Sequence, residues 1–231
     1  MLKTGFVLSI ILIMFLGLRA QTNTDTLNQQ NKDGQKIGYW KKYNEDGLFV
    51  YEGRFEQGIP IGDFIYYYPD ERVKARSYFY DKGSKTKTST YHYSGELMTE
   101  GFYQNKKKDS LWFYFDMSGT LLKQESYKNN KKDGQWIVYY PDSLIQEEIS
   151  WSIGKKNGPW NDFYPNGALK TEGYYANDKQ QGEIKIYFET GVLGVTGTYE
   201  QSKKQGEWIY RDEEGVVVTT EYYEAGRKIK K

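Results

Sequence analysis

The stretch GPWNDFYPNGALKTEGYYAND, residues 158–178, decides the fold. It opens on a short run carrying Trp160 and Phe163, turns at Pro165-Asn166-Gly167, and returns through the alternating segment LKTEGYY at 169–175. Short runs rich in aromatic and β-branched residues, joined by Pro/Asn/Gly turn chemistry, read as a β-hairpin. The same pattern recurs every 24 residues without an insertion. One phase is Trp40, Phe64, Thr88, Trp112, Trp136, Trp160, Ile184, Trp208. Another is Phe55, Phe79, Tyr103, Tyr127, Trp151, Tyr175, Tyr199, Tyr223, aromatic in all eight copies. At 17% aromatic residues, chance gives such a phase with a probability of roughly one in a million, so the repeat is real.

Other phases supply the remaining parts of the unit. Tyr43, Tyr67, Tyr91, Phe115, Tyr139, Phe163 and Tyr187 follow the first phase by three, and Arg211 breaks the set. Phe49, Val73, Leu97, Leu121, Ile145, Leu169, Leu193 and Val217 form an apolar phase. Gly47 and its equivalents end the turn within each unit, with Glu71 and Ser143 as exceptions. Gly38 and its equivalents open the first strand, with Thr86 and Ser110 as exceptions. Because side chains alternate along a strand, residues 49, 51, 53 and 55 are expected on one face. The frequently small residue at 53 is expected to lie under a neighbouring ring. Trp40 and Tyr43 are three apart, so either the strand carries a bulge or twist, or both faces are partly covered.

The chain is therefore expected to be all-β: an elongated antiparallel meander of eight stacked 24-residue hairpins over residues 36–227. A lone hairpin is marginal in water, so the units are expected to fold only when stacked. The expected core is the two ring phases, Trp40, Phe64, Trp112, Trp136, Trp160 and Trp208 with Phe55, Phe79, Tyr103, Tyr127, Trp151, Tyr175, Tyr199 and Tyr223.

The flanks read differently. Lys3, the apolar run Gly5–Leu18 and the small Ala20 have the order of a signal peptide, expected at 1–20 and cleaved near Ala20. The run is shorter than the roughly 20 residues of a membrane span, so no transmembrane segment is expected after cleavage. Residues 21–35 are polar and read as a flexible linker, and 228–231 as a basic tail that discourages further strand addition. The chain is expected to be exported, to the periplasm, the cell surface or the medium.

Composition narrows the chemistry. Without Cys there is no thiolate or cysteine-ligated metal, and one histidine, His92, is a poor basis for a His-rich metal site or a relayed nucleophile. Repeated units offer no singular cleft, so no enzyme activity and no cofactor is expected. The 32 basic residues, less Lys3 and Arg19 of the leader, balance 31 acidic ones, and bulk charge gives no reason to invoke nucleic acid.

The pattern GxWxxYyxxGxLxxEgxYxnGkk, carried by units such as 158–178, resembles the MORN repeat, and more closely the bacterial 24-residue variant of YwqK-type proteins. The resemblance covers about 36–227, with departures at Thr86, Thr88 and Arg211. It implies a non-catalytic scaffold that binds protein or phospholipid, and YwqK-type proteins are usually labelled antitoxin or immunity components.

Two sets of residues are candidates for binding. Lys107, Lys108, Lys131, Lys132, Lys155, Lys156, Lys203 and Lys204 cluster at the turns between units and are expected to form a basic ridge. Such a ridge suits a protein partner or an anionic envelope surface, lipid or polysaccharide; the plainer reading is a set of solubilising turns. Tyr66, Tyr68, Tyr140, Tyr164, Tyr174 and Phe188 flank the core phases and are expected to be exposed rings able to stack on sugars or take a peptide's apolar anchors; alternatively they cover the sheet's second face. The expected function is an exported scaffold binding along its sheet. The alternatives are a carbohydrate- or wall-binding module and an immunity protein for a co-encoded toxin.

Overall fold

The computed structural model describes residues 26–230. The expected leader and the first part of the expected linker lie outside them. Among the described residues no helix is long and apolar enough to cross a membrane. The described chain is one open antiparallel sheet in which each strand pairs with its neighbours in sequence. In the first unit Lys36–Tyr43 pairs with Phe49–Glu56, which then pairs with Ile59–Tyr67 of the second. The order continues to Lys203–Arg211 and Val217–Glu224. The hairpin meander expected from the 24-residue period is the fold.

The sheet has 20 strands because short pieces add to the eight hairpins. Two units begin with a detached two-residue piece, Lys131–Lys132 and Lys179–Gln180. Gln29–Gln30 pairs along Lys36 and Ile37, and Arg227–Ile229 pairs along Val217–Glu224. Polar composition suggested a flexible linker through residue 35, but local hydrogen bonds order its end. Asn31 Oδ1 accepts from the N–H groups of Asp33 and Gln35, and Trp40 Nε1 donates to the Gln29 carbonyl. The basic tail likewise continues as a strand to Ile229. Each sheet end is thereby covered by a short polar strand.

The turns inside the units share one construction. Asn44 N–H donates to the Leu48 carbonyl, and Gly47 N–H donates back to the Asn44 carbonyl, with the equivalent pair in every unit. The fourth residue needs positive φ, which is why Gly recurs there; Glu71 and Ser143 adopt it regardless, at 66° and 71°. Between units, Gly58 N–H donates to the Lys36 carbonyl, and Asn130, Gly154, Asp178, Ser202 and Gly226 repeat that link 22 residues back. Successive turns are tied into a rail.

A register slip in every hairpin resolves the three-residue spacing of the aromatics. Lys42 faces Tyr51, but Tyr43 faces Phe49. Equivalent slips fall at Tyr66/Tyr67, Thr90/Tyr91, Tyr114/Phe115, Val138/Tyr139, Asp162/Phe163, Ile186/Tyr187 and Tyr210/Arg211. The bulge corrects one expectation: Phe49 does not share a face with residues 51, 53 and 55. It crosses to the Tyr43 side, where Tyr43, Phe49 and Tyr67 stack at 5.1 and 4.5 Å. Both faces are therefore partly covered, and the bulge is the cause.

The opposite face carries a ladder of rings. Trp40, Phe55, Phe64 and Phe79 follow one another at 6.1, 5.1 and 5.0 Å, mostly edge to face. Tyr103–Trp112, Tyr127–Trp136–Trp151, Trp160–Tyr175 and Tyr199–Trp208–Tyr223 continue it. Edge-to-face pairs add about 0.5–1.5 kcal/mol each beyond area burial. As expected, the small residues lie under rings. A Cβ on Gly53 would stand 2.5 Å from Phe64, and on Gly101 or Gly197 it would stand 2.2 Å from Trp112 or Trp208. Of the fourteen expected core rings, only Phe64, Trp112 and Trp208 are buried, at 2–3% exposure. The others are half-buried, because a single-layer sheet has no second layer to close over them.

Candidate functional site

The candidate lysines do not form one ridge. Neighbours in a strand point to opposite faces, and the two lysine phases separate accordingly. Lys107, Lys131, Lys155 and Lys203 are exposed, whereas Lys108, Lys132, Lys156 and Lys204 are half-buried on the ring ladder. The ammonium of Lys108 sits 4.3 Å from the Trp112 ring centroid, and that of Lys204 4.1 Å from Trp208. Lys132 lies between Trp136 and Trp151, at 3.8 and 3.9 Å. Lys156 lies 5.0 Å from Tyr175. Contacts of this kind contribute about 0.5–2 kcal/mol, depending on desolvation. The sequence signal was present and overlooked: Lys stands four residues before Trp at 36/40, 108/112, 132/136 and 204/208, the pairs that meet.

Six other lysines differ from these eight in their partners. Lys41, Lys85, Lys87, Lys123, Lys185 and Lys228 each pair with a carboxylate. Among the described residues none of the eight candidates does. Lys108 and Lys204 donate instead to the hydroxyls of Tyr114 and Tyr210, both at 2.9 Å. At Lys132 and Lys156 the equivalent hydroxyl is missing, because Val138 and Asp162 stand there. Burial pushes the Lys108 and Lys132 ammoniums below the usual lysine range, against the pull of Glu125; Lys156 and Lys123 push Lys132 further down.

Around Lys132 the repeat loses its symmetry. A recess of about 340 Å³ is lined by Lys132, Trp136, Glu147, Ile149, Trp151 and Lys156. Glu125, 3% exposed, borders it at the phase where four units carry Gly and the last carries Glu221. Burial pushes its carboxyl up, but hydrogen bonds from Lys123, Tyr114 and Tyr127 outweigh that and hold it below the usual carboxylate range. Tyr127 in turn is pushed up to about 12, by burial and then by Glu125. Among the described residues the Nε1 hydrogens of Trp151 and Trp208 have no acceptor.

The six candidate rings are less available than expected. Only Tyr174 is exposed, at 46%. Tyr66, Tyr68, Tyr140, Tyr164 and Phe188 are half-buried. The hydroxyls of Tyr68, Tyr140 and Tyr164 donate to the carbonyls of Tyr91, Phe163 and Tyr187, each 23 residues ahead. His92 Nε2 makes the same link to the Phe115 carbonyl at 3.1 Å. These residues splice one turn to the next, a role that only the phase relation could have shown. More exposed rings escaped the sequence reading: Tyr93, at 52%, lies under the Arg72 guanidinium at 3.6 Å and donates to Asp70.

One segment of the chain matches a family model. No curated protein matches the chain significantly. The crystal structure of TcdB2-TccC3-Cdc42 is similar at 10% identity and a TM-score of 0.21, over 83% of this chain and 13% of that one. The crystal structure of TcdB2-TccC3 is similar at 11% identity and a TM-score of 0.21, over 78% and 12%. The chain thus spans about an eighth of the length of these proteins, and at that score the likeness carries no argument. Residues 156–177 match the family model described as the MORN repeat variant. The hairpin at 156–177 is thus similar to the MORN repeat variant, and the 24-residue period carries the same residue pattern through the neighbouring units.

Proposed function

We propose that this repeat array is a non-catalytic, exported scaffold that binds an anionic partner along its lysine rows. One observation carries the reading: the eight turn lysines recur in phase with the 24-residue repeat, and among the described residues none of them has a carboxylate partner. An unpaired, partly desolvated ammonium favours an incoming anion, because that anion recovers the Coulomb energy the fold leaves unused. The repeat places such groups at successive turns, so an extended partner meets several at once. Export follows from the signal-peptide pattern at 1–20. A glycan-binding role is less supported, since five of the six candidate rings are half-buried and three hydroxyls are committed to main-chain carbonyls.

The test is charge reversal of the exposed row. The variant Lys107→Glu, Lys131→Glu, Lys155→Glu, Lys203→Glu changes solvent-facing side chains and is expected to keep its β-sheet circular dichroism. It is compared with the unaltered chain in capture from envelope extracts and in sedimentation with phosphatidylglycerol or phosphatidylcholine vesicles. The proposal expects loss of captured protein, of phosphatidylglycerol binding, or of both, which tells a protein partner from a lipid surface. Unchanged capture and unchanged sedimentation would eliminate the exposed row as the site.

A further inference from the structure

The ring ladder has one missing rung, and the geometry points to a binding site for an aromatic side chain there. In the third unit Thr88 takes the place of the Trp, Phe or Ile found in every other unit. The residue opposite changes with it: Ser77 stands where Gly53, Gly101 and Gly197 lie under their rings. Ser77 Oγ and Thr88 Oγ1 hydrogen-bond at 2.9 Å and close the floor. Thr86 takes the place of the positive-φ residue of every other unit, Gly in six and Ser110 in the fourth, and the pairing from Ala75–Thr90 to Tyr80–Lys85 runs without the slip seen in the neighbouring junctions.

What remains is a recess of about 290 Å³, walled by Phe79 and Tyr103, with Tyr66 and Ala75 beside it. Phe79 packs on Phe64 and Tyr103 on Trp112, each at 5.0 Å, so each wall already holds a ring on its far side. The array itself shows what fits between such walls: an aromatic ring meeting both edge to face. In the seventh unit Ile184 occupies the slot and is 5% exposed. The floor hydroxyls share one hydrogen bond, which leaves one hydroxyl hydrogen for an acceptor and a lone pair for an indole or phenol donor. Lys106 stands on the rim and gives it a positive edge. The occupant is therefore an aromatic residue of a protein partner with a carboxylate beside it. This rests on the reading of the chain as a binding scaffold and names the partner's anchor.

The test uses the full chain and two probes, N-acetyltryptophanamide and N-acetyltryptophan, followed by amide NMR shifts. Saturable shifts are expected at Ser77, Phe79, Thr88 and Tyr103. The carboxylate probe should bind roughly two- to fivefold tighter at low salt, an advantage lost in Lys106→Ser. The deciding variant is Ser77→Gly with Thr88→Trp, which rebuilds the Gly–Trp pair of Gly101 and Trp112 and fills the slot. It should fold and lose the shifts. Ser77→Gly alone leaves the recess open and should keep them, so the inference stays testable if the double variant does not fold. Shifts spread evenly over all units, shifts that survive in the double variant, or no shifts would overturn it. The amide probe is uncharged, so its failure leaves the lysine-row reading standing, and failure of charge reversal leaves this one standing.

Discussion

Replacing Gly101 by Ala tests the ring-over-glycine geometry with a single methyl group. The new Cβ would lie 2.2–2.6 Å from three atoms of the Trp112 indole, and the ring is 3% exposed, so it has little room to retreat. Forcing a group into a packed site costs about 1–3 kcal/mol. Restricting the unfolded chain returns about 0.4–1 kcal/mol. The net expectation is a loss of about 1–2 kcal/mol, or roughly 2–8 °C in melting temperature for a chain of this size. Gly173 is the internal control. Its Cβ would stand 3.2 Å from Trp160, a contact that a small ring shift relieves, so Gly173→Ala should fall within about 0.5 kcal/mol of the original. Urea unfolding followed by tryptophan fluorescence reads both, with an unchanged slope required for comparison. In a Trp112→Leu background the penalty at Gly101 should largely vanish, giving a coupling of about 1–2 kcal/mol. Equal effects at Gly101 and Gly173, or a penalty that persists without the indole, would refute the packing argument.

Further outcomes follow from the turns and the buried acid. Tyr140→Phe removes the hydroxyl bonded to the Phe163 carbonyl and should cost about 0.5–1.5 kcal/mol, with faster amide exchange confined to the turns at 140–144 and 164–168. Glu71→Gly and Ser143→Gly relieve positive φ in residues with a Cβ, so each should raise the urea midpoint, by about 1 kcal/mol in stability. Glu125 ionises more readily folded than unfolded; its contribution is present above the unfolded carboxylate range and is lost as pH falls through the lower folded value. Glu125→Gln should therefore flatten the fall in stability below about pH 4.5, while an unaltered acid limb would count against the assignment.

Much of the fold was legible because a repeat states its pattern eight times. Ring phases, turn glycines and the small residues under the rings could be read by counting. The bulge at Lys42/Tyr43 could not, because a register slip is a backbone event that leaves the side-chain sequence unchanged; it moved Phe49 to the face opposite Tyr51. The lysine rows were visible as composition but not as two faces. Counting alternation through Lys107 and Lys108 would have separated them. The ordered stretch at Gln29–Gln30 was missed because polarity alone says nothing of Asn31 capping its own turn. The missing rung was legible as Thr88, yet its meaning needed the walls of Phe79 and Tyr103.

The proposed binding surface is a set of local cation rows in a chain whose total charge is close to zero. The most direct measurement is capture of the full chain on immobilised poly-glutamate and on poly-lysine over a range of salt. With 32 basic and 31 acidic residues, bulk charge favours neither polymer. Unpaired turn lysines predict retention on poly-glutamate alone, weakening as salt rises. Equal retention on both polymers, or retention on poly-glutamate that ignores salt, would contradict it.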